Sequence, residues 1–169
     1  MGETETQMKE IVEHGLYIIK DSYFQRFPNT TWSDNKGQRR PHYYAFRGDD
    51  GIFWMIPLSS QVETARRTIE KFESSHPGKK CLYCHVGQVA GRERSFNISS
   101  MFPVTEEYID RPFDFFGSAY VVGVSGLNSE VLEKASTYLN MVERGRLYNS
   151  KNIFAIRAEL LSESGEPDP

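Results

Sequence analysis

A chain of 169 residues, 38% hydrophobic and 25% charged, is long enough for one proper core and reads as a single domain over 1–169, with 1–13 and 162–169 peripheral or mobile. It holds no apolar run near the roughly 20 residues of a membrane span, and its opening, MGETETQMKE, lacks the apolar stretch of a secretory signal, so the expected location is cytoplasmic. A formal net charge of −3 offers a nucleic acid no global attraction, so such a partner must meet a local basic patch.

In chain order, GLYIIK (Gly15–Lys20) reads as a first strand. Residues 25–41 carry Pro28, Asn29, Gly37 and Pro41 and read as a long polar loop, a kind of segment that usually carries function. Residues 43–57 read as a hairpin, two short apolar strands around a turn at Arg47–Gly51. Antiparallel pairing should bring its open ends together, making His42 a neighbour of Ser59 and Ser60. From Lys36 to Gly48 there are four basic residues (Lys36, Arg39, Arg40 and Arg47) and no acidic one, with Trp32, Tyr43, Tyr44 and Phe46 before and among them. Cations beside rings suit single-stranded RNA. Taken alone, the same residues more often describe a solvated loop entering a strand whose rings alternate between faces.

Ser59–Ser75 reads as a helix with Val62, Ala65, Ile69 and Phe72 on one face. Ser60 and Glu63 match the S-x-x-E capping box at its start. A first helical turn also offers backbone N–H groups and a positive dipole end to phosphate, which His42 would face with a pKa near neutrality. KCLYCHVGQV and RSFNIS are two further strands with Gly91 in the turn between them. Cys81–His85 matches the C-x-x-C-H haem pattern, but export is not signalled, and two buried or half-buried thiols are expected rather than haem or a zinc site completed by His76. MFPVTEEYI reads as a strand end and a short helical turn. Residues 129–144 form a helix with Val131, Leu132, Ala135, Tyr138, Leu139 and Val142 inward and Gly145 as its cap. Residues 150–162 make a last helix before the polar tail SESGEPDP. Locally pairing strands with helices between them give an α+β fold, an antiparallel sheet with helices packed on it. GVSGL misses the G-x-S-x-G esterase spacing by one residue, and no Walker A loop, Rossmann fingerprint or metal-ligand helix appears.

The order LYIIKDSYF, RPHYYAF, FWMIPLSS and SFNISSMFPVTEEYI resembles the ToxN/AbiQ/CptN family of type III toxin–antitoxin endoribonuclease toxins, nearest the CptN branch, across roughly residues 15 to 160. The strongest motif is the Pro57–Ser60 turn, supported by Met101–Thr105. The resemblance implies a strongly bent antiparallel β-sheet core surrounded by helices, related to the Kid/MazF/CcdB toxins. It also implies a metal-independent RNase, part of phage defence, that cuts single-stranded RNA and leaves a 2′,3′-cyclic phosphate. Its partners would be cellular mRNA substrates and an antitoxin RNA of pseudoknot repeats that fills the active-site groove. Toxin and RNA would assemble as a hetero-oligomer of several copies, with no cofactor and no membrane.

Carried over by motif, the family's active-site tyrosine falls on Tyr23, its lysine on His42 and its Thr-Ser pair on Ser59 and Ser60. Val62 stands where ToxN-like members carry a lysine, so a substitute cation is expected from Arg40, Lys20 or Arg66, in that order. RNA contacts are expected from Lys20, Lys36, Arg39, Arg40 and Arg66. RNA supplies its own nucleophile, leaving the protein to provide a base, an acid and positive charge. His42 would be base or acid, Tyr23 or Ser60 would handle the second proton, and Ser60 with the helix start would hold the phosphate oxygens. Two rival classes remain: a non-catalytic RNA- or protein-binding module, and a small-molecule enzyme using the His–Ser pair.

Overall fold

Four consecutive apolar residues make the first strand, β1 (Leu16–Ile19), and all four are buried because both faces of the sheet are covered there. The structure, a computed structural model, describes residues 11–28, 40–115, 118–119, 121–123, 125–149 and 151–164. A short helix not expected from the sequence, α1 (Asp21–Arg26), follows and runs two residues into the expected loop at 25–41, and it buries Tyr23 and Phe24. The hairpin is β2 (His42–Arg47) and β3 (Phe53–Ser59), antiparallel, with a bulge between Tyr44 and Phe46.

Helix α2 (Val62–Ser75) leaves β3 with Ala65 facing inward. β4 (His85–Val89) and β5 (Arg92–Phe96) then pair across a two-residue turn whose Ala90 and Gly91 both have positive φ, 53° and 82°. That is the primed turn matching the twist of a tight hairpin. β6 (Phe102–Val104) lies on β3, and β7 (Ile109–Pro112) pairs with β1. The seven strands form an open antiparallel sheet, ordered β4-β5-β3-β2-β1-β7, with β6 beside β3. A small ribbon, β8 (Asp114–Phe115) and β9 (Ser118–Ala119), stands apart.

Helices α3 (Ser125–Glu143) and α4 (Ile153–Ser164) complete the fold. α3 starts four residues before the expected 129 and buries Val131, Ala135, Tyr138 and Leu139 as expected. It is fastened to the sheet by Tyr43, whose hydroxyl donates to Asn128, while Asn128 donates to the Val122 carbonyl. Near β6, Phe154 of α4 meets Trp54 of β3. The expected tail from 162 is helical to Ser164, and Arg26 of α1 pairs with Glu159 and Glu163. At the other end, Val12 and His14 are bonded to Tyr17 and Tyr44, so the expected peripheral segment begins to pack by residue 12.

Candidate active site at the open end of the hairpin

The register fixes what the open end of the hairpin presents. His42 lies opposite Pro57, and the Leu58 amide donates to the Pro41 carbonyl at 3.1 Å. Continued two residues past His42 and Pro57, the same register sets Arg40 across from Ser59, and Ser59 pairs on its other side with Ser95 of β5. Residues directly opposite share a face, so Arg40, His42, Pro57, Ser59 and Ser95 belong to one face of the sheet. The expected meeting of His42 and the serine pair is thus one of strand ends, with Arg40 nearer the serines than His42.

Arg40 is buried, and its Nη1 donates to the Leu58 carbonyl at 2.7 Å. The Ser59 hydroxyl accepts from the Gln61 amide at 3.0 Å. α2 starts one turn-residue later than the motif suggested, with Gln61 at its cap and no side chain capping it. The capping box does not form: Glu63 turns its carboxylate to Arg66 at 2.9 Å instead of back to Ser60. Ser60 is consequently exposed, and its hydroxyl meets no partner among the described residues.

His42 differs most from expectation. It is 1% exposed, its ring centroid 5.9 Å from Phe24 and 5.4 Å from Phe102. Burial, and next the charge of Arg40, push its pKa down to about 3, against weaker opposition from backbone hydrogen bonds. Its Nδ1 has no hydrogen-bond partner among the described residues. A ring titrating near neutrality is therefore not what the free protein holds, because α1 covers the strand end with Phe24.

Tyr23 is also fully buried, among Phe24, Phe27, Phe102 and Tyr108. Its hydroxyl donates to the Pro103 carbonyl at 2.7 Å, and burial raises its pKa well above that of a free tyrosine. Tyr23 and His42 thus share an aromatic cluster beneath the surface, bridged by Phe24 and Phe102.

The cations divide sharply. Lys20 follows β1, whose pairing of Tyr17 with His42 carries it to the same sheet end as Arg40. Arg66 is committed to ion pairs with Glu63 and Glu93. Lys36 and Arg39, with Trp32, lie outside the described residues. Tyr43 and Tyr44 are core residues, so these rings of the basic patch offer no stacking platform.

Sequence reasoning missed Ser95 and Asn97. The buried Ser95 hydroxyl donates to Asn97 Oδ1 at 2.7 Å, and the Asn97 amide donates to the Pro57 carbonyl at 3.0 Å. Their i, i+2 spacing in RSFNIS was the available signal, since it puts two polar side chains on one face of a strand.

Cys81 and Cys84 are free and buried, as expected. The Cys84 thiol donates to the Ala65 carbonyl of α2 at 3.7 Å, and the pairing with Cys84 holds the Cys81 pKa below that of a free thiol. Among the described residues no group of three His, Cys, Asp or Glu could hold a metal ion. Nor is any described helix long and apolar enough to cross a membrane.

The molecule is therefore an α+β protein with an open antiparallel sheet and helices around it, and its candidate site lies where the central hairpin opens. One solved structure shares this fold at a TM-score of 0.54 and 13% identity, covering 94% of this chain and 100% of that one. It is described by the words "A processed non-coding RNA regulates a bacterial antiviral system", and the likeness supports a ToxN-like fold. No protein-family model matches the chain, and no curated protein matches it in sequence.

Proposed function

We propose that this chain is the toxin of a type III toxin–antitoxin system, a metal-independent endoribonuclease neutralised by an RNA antitoxin of pseudoknot repeats, which is itself within reach of the enzyme's cutting. One observation carries the reading: the hairpin's open end brings Arg40 and the Ser59–Ser60 turn to the start of α2, on a fold shared with a protein of an RNA-regulated antiviral system.

The phosphate of a single-stranded substrate sits on the exposed Ser60 hydroxyl and the first amides of α2, at the positive end of the helix. Arg40 supplies the cation that Val62 does not. The RNA 2′-OH attacks phosphorus, the P–O5′ bond breaks, and a 2′,3′-cyclic phosphate and a 5′-hydroxyl are left. His42 takes the 2′-OH proton from its neutral form. Burial, and next the Arg40 charge, hold the imidazole pKa down, and a bound phosphate offsets the second of these, so binding substrate makes the ring a better base. Ser60, being exposed, is better placed than Tyr23 to exchange the second proton.

Expression of the chain alone should arrest bacterial growth, and Ser60→Ala should relieve the arrest. The purified protein should cut RNA in EDTA and leave cyclic-phosphate ends readable by mass. His42→Ala should retain RNA binding and cut roughly 10²–10⁴-fold more slowly, the usual worth of general acid–base catalysis. Cutting that requires added Mg²⁺ would refute the chemistry.

The burial of both His42 and Tyr23 favours a second reading, an RNA- or protein-binding module without catalysis. RNA bound tightly and recovered intact after prolonged incubation would select it.

A further inference from the structure

Tyr148 is 88% exposed, whereas the other exposed large hydrophobic residues among those described, Val12 and Val121, reach 41% and 44%. It stands at the rim of a cavity of about 460 Å³ between the end of α3 and the start of α4, shared with Asn149, Asn152, Phe154 and Arg157. The loop is held in place. Asn149 donates to the Tyr138 hydroxyl at 2.8 Å and accepts from the Lys151 amide at 2.9 Å, and Asn152 adopts a left-handed φ of 55°. The exposure of the ring is thus built into an anchored segment.

Charge gathers at the same place. From Glu143 to Arg157 the sequence carries Arg144, Arg146, Lys151 and Arg157 against the single acid Glu143, within a chain of net charge −3. Arg144 and Arg146 are exposed and meet no acidic partner among the described residues. Arg157 is tied instead to Asp50 at 2.7 Å, in the turn that closes the β2–β3 hairpin. The cavity therefore lies at the closed end of the hairpin, and the candidate active site lies at its open end. The intervening strand places them roughly 20 Å apart.

We propose that this cavity is a second contact for single-stranded RNA, in which one base stacks on Tyr148 while Arg144 and Arg146 hold the flanking phosphates. The inference rests on the RNA-binding reading above and adds to it a site remote from the serines. A flat ring flanked by unpaired cations meets both demands of a single strand, a π surface for any base and positive charge for the backbone. It also explains where stacking comes from, since Tyr43 and Tyr44 are buried.

The test uses a fluorescein-labelled 2′-O-methyl oligouridine of roughly 12 nucleotides, within the span of single-strand sites and unable to be cut by 2′-OH attack. Binding is followed by anisotropy against the full chain. Tyr148→Ala should raise Kd about 5- to 100-fold, the effect of losing one stacked base, while Tyr148→Phe stays near wild type. Arg146→Ala should lessen the slope of log Kd against log salt by about 0.7, one phosphate contact. Wild-type binding that Tyr148→Ala leaves unchanged would overturn the site and leave the proposed function standing. Equal losses in Tyr148→Ala and Tyr148→Phe would overturn the stacking. A Tyr148→Ala chain that binds RNA normally but loses self-association on a sizing column would make the patch a protein contact and overturn the proposal. A wild-type chain that neither binds nor cuts RNA would remove the proposed function itself.

Discussion

His42 shows how far a single residue can depart from what its neighbours in sequence suggest. Beside Arg40 and Pro41 it looks like a surface ring, yet the fold puts it under Phe24 and Phe102 in neutral form. The consequence for stability has a definite sign. The unfolded ring has a pKa near 6.5 and the folded one about 3. Between these values the unfolded chain binds a proton that the folded chain refuses, so the stabilisation present above about pH 6.5 is lost as pH falls toward 3. The loss amounts to about 1.4 kcal/mol per pH unit within that window. His42→Phe keeps a ring among rings and removes the titration. Urea unfolding at steps from pH 7 to pH 4 should show wild type losing stability faster than His42→Phe by roughly that slope. Parallel profiles for the two chains would show that the ring is not held neutral by burial.

At the scale of elements, legibility followed periodicity. The hairpin, α2, the β4–β5 pair and α3 announce themselves by spacing and by Gly91, because each carries its own apolar face. β7 does not: Ile109–Pro112 is short and polar, and it is a strand only because β1 offers it a partner. α1 was hidden likewise, since DSYFQR becomes a helix by laying Tyr23 and Phe24 on the sheet. The serine turn was visible in sequence, but the failure of its capping box was not, because that depends on Arg66 drawing Glu63 away. The same pairing bears on the proposed order among the substitute cations. Arg66 is engaged by Glu63 and Glu93, and Arg40 lies at the open end of the hairpin with its Nη1 on the Leu58 carbonyl. With RNA saturating, Arg40→Met should slow single-turnover cleavage most, Lys20→Met less and Arg66→Met least. Arg40→Met also leaves the Leu58 carbonyl without its donor, at a cost of about 1–3 kcal/mol, so the comparison is made well below each variant's melting temperature. Three variants cutting at the wild-type rate would mean that the backbone amides of α2 suffice.

The whole molecule is slightly acidic, so the proposed binding of RNA has to be local and sensitive to salt. Two places qualify, the open end of the hairpin with Lys20 and Arg40, and the closed end with Arg144 and Arg146. The Arg157–Asp50 pair ties the second place to the turn of the hairpin, so a single strand running along the hairpin would meet cations near either end. Arg40 is too buried for a charge-reversal test, since a glutamate there would fail through folding. Less buried cations serve better: Lys20 is half-buried and Arg144 is exposed. Lys71 lies on α2 nine residues beyond Val62, about 14 Å of helix rise from the serine turn, and is exposed. If RNA follows the hairpin, Lys20→Glu and Arg144→Glu should each weaken binding far more than Lys71→Glu at equal change in net charge. The first two should also flatten the salt dependence by about 0.7 for each phosphate no longer held, and the third should leave its slope alone. Titrations of the 2′-O-methyl oligouridine from low to physiological salt would read both quantities. Equal losses at all three positions would mean that the RNA responds to overall charge alone, and the hairpin would then have no claim to be its track.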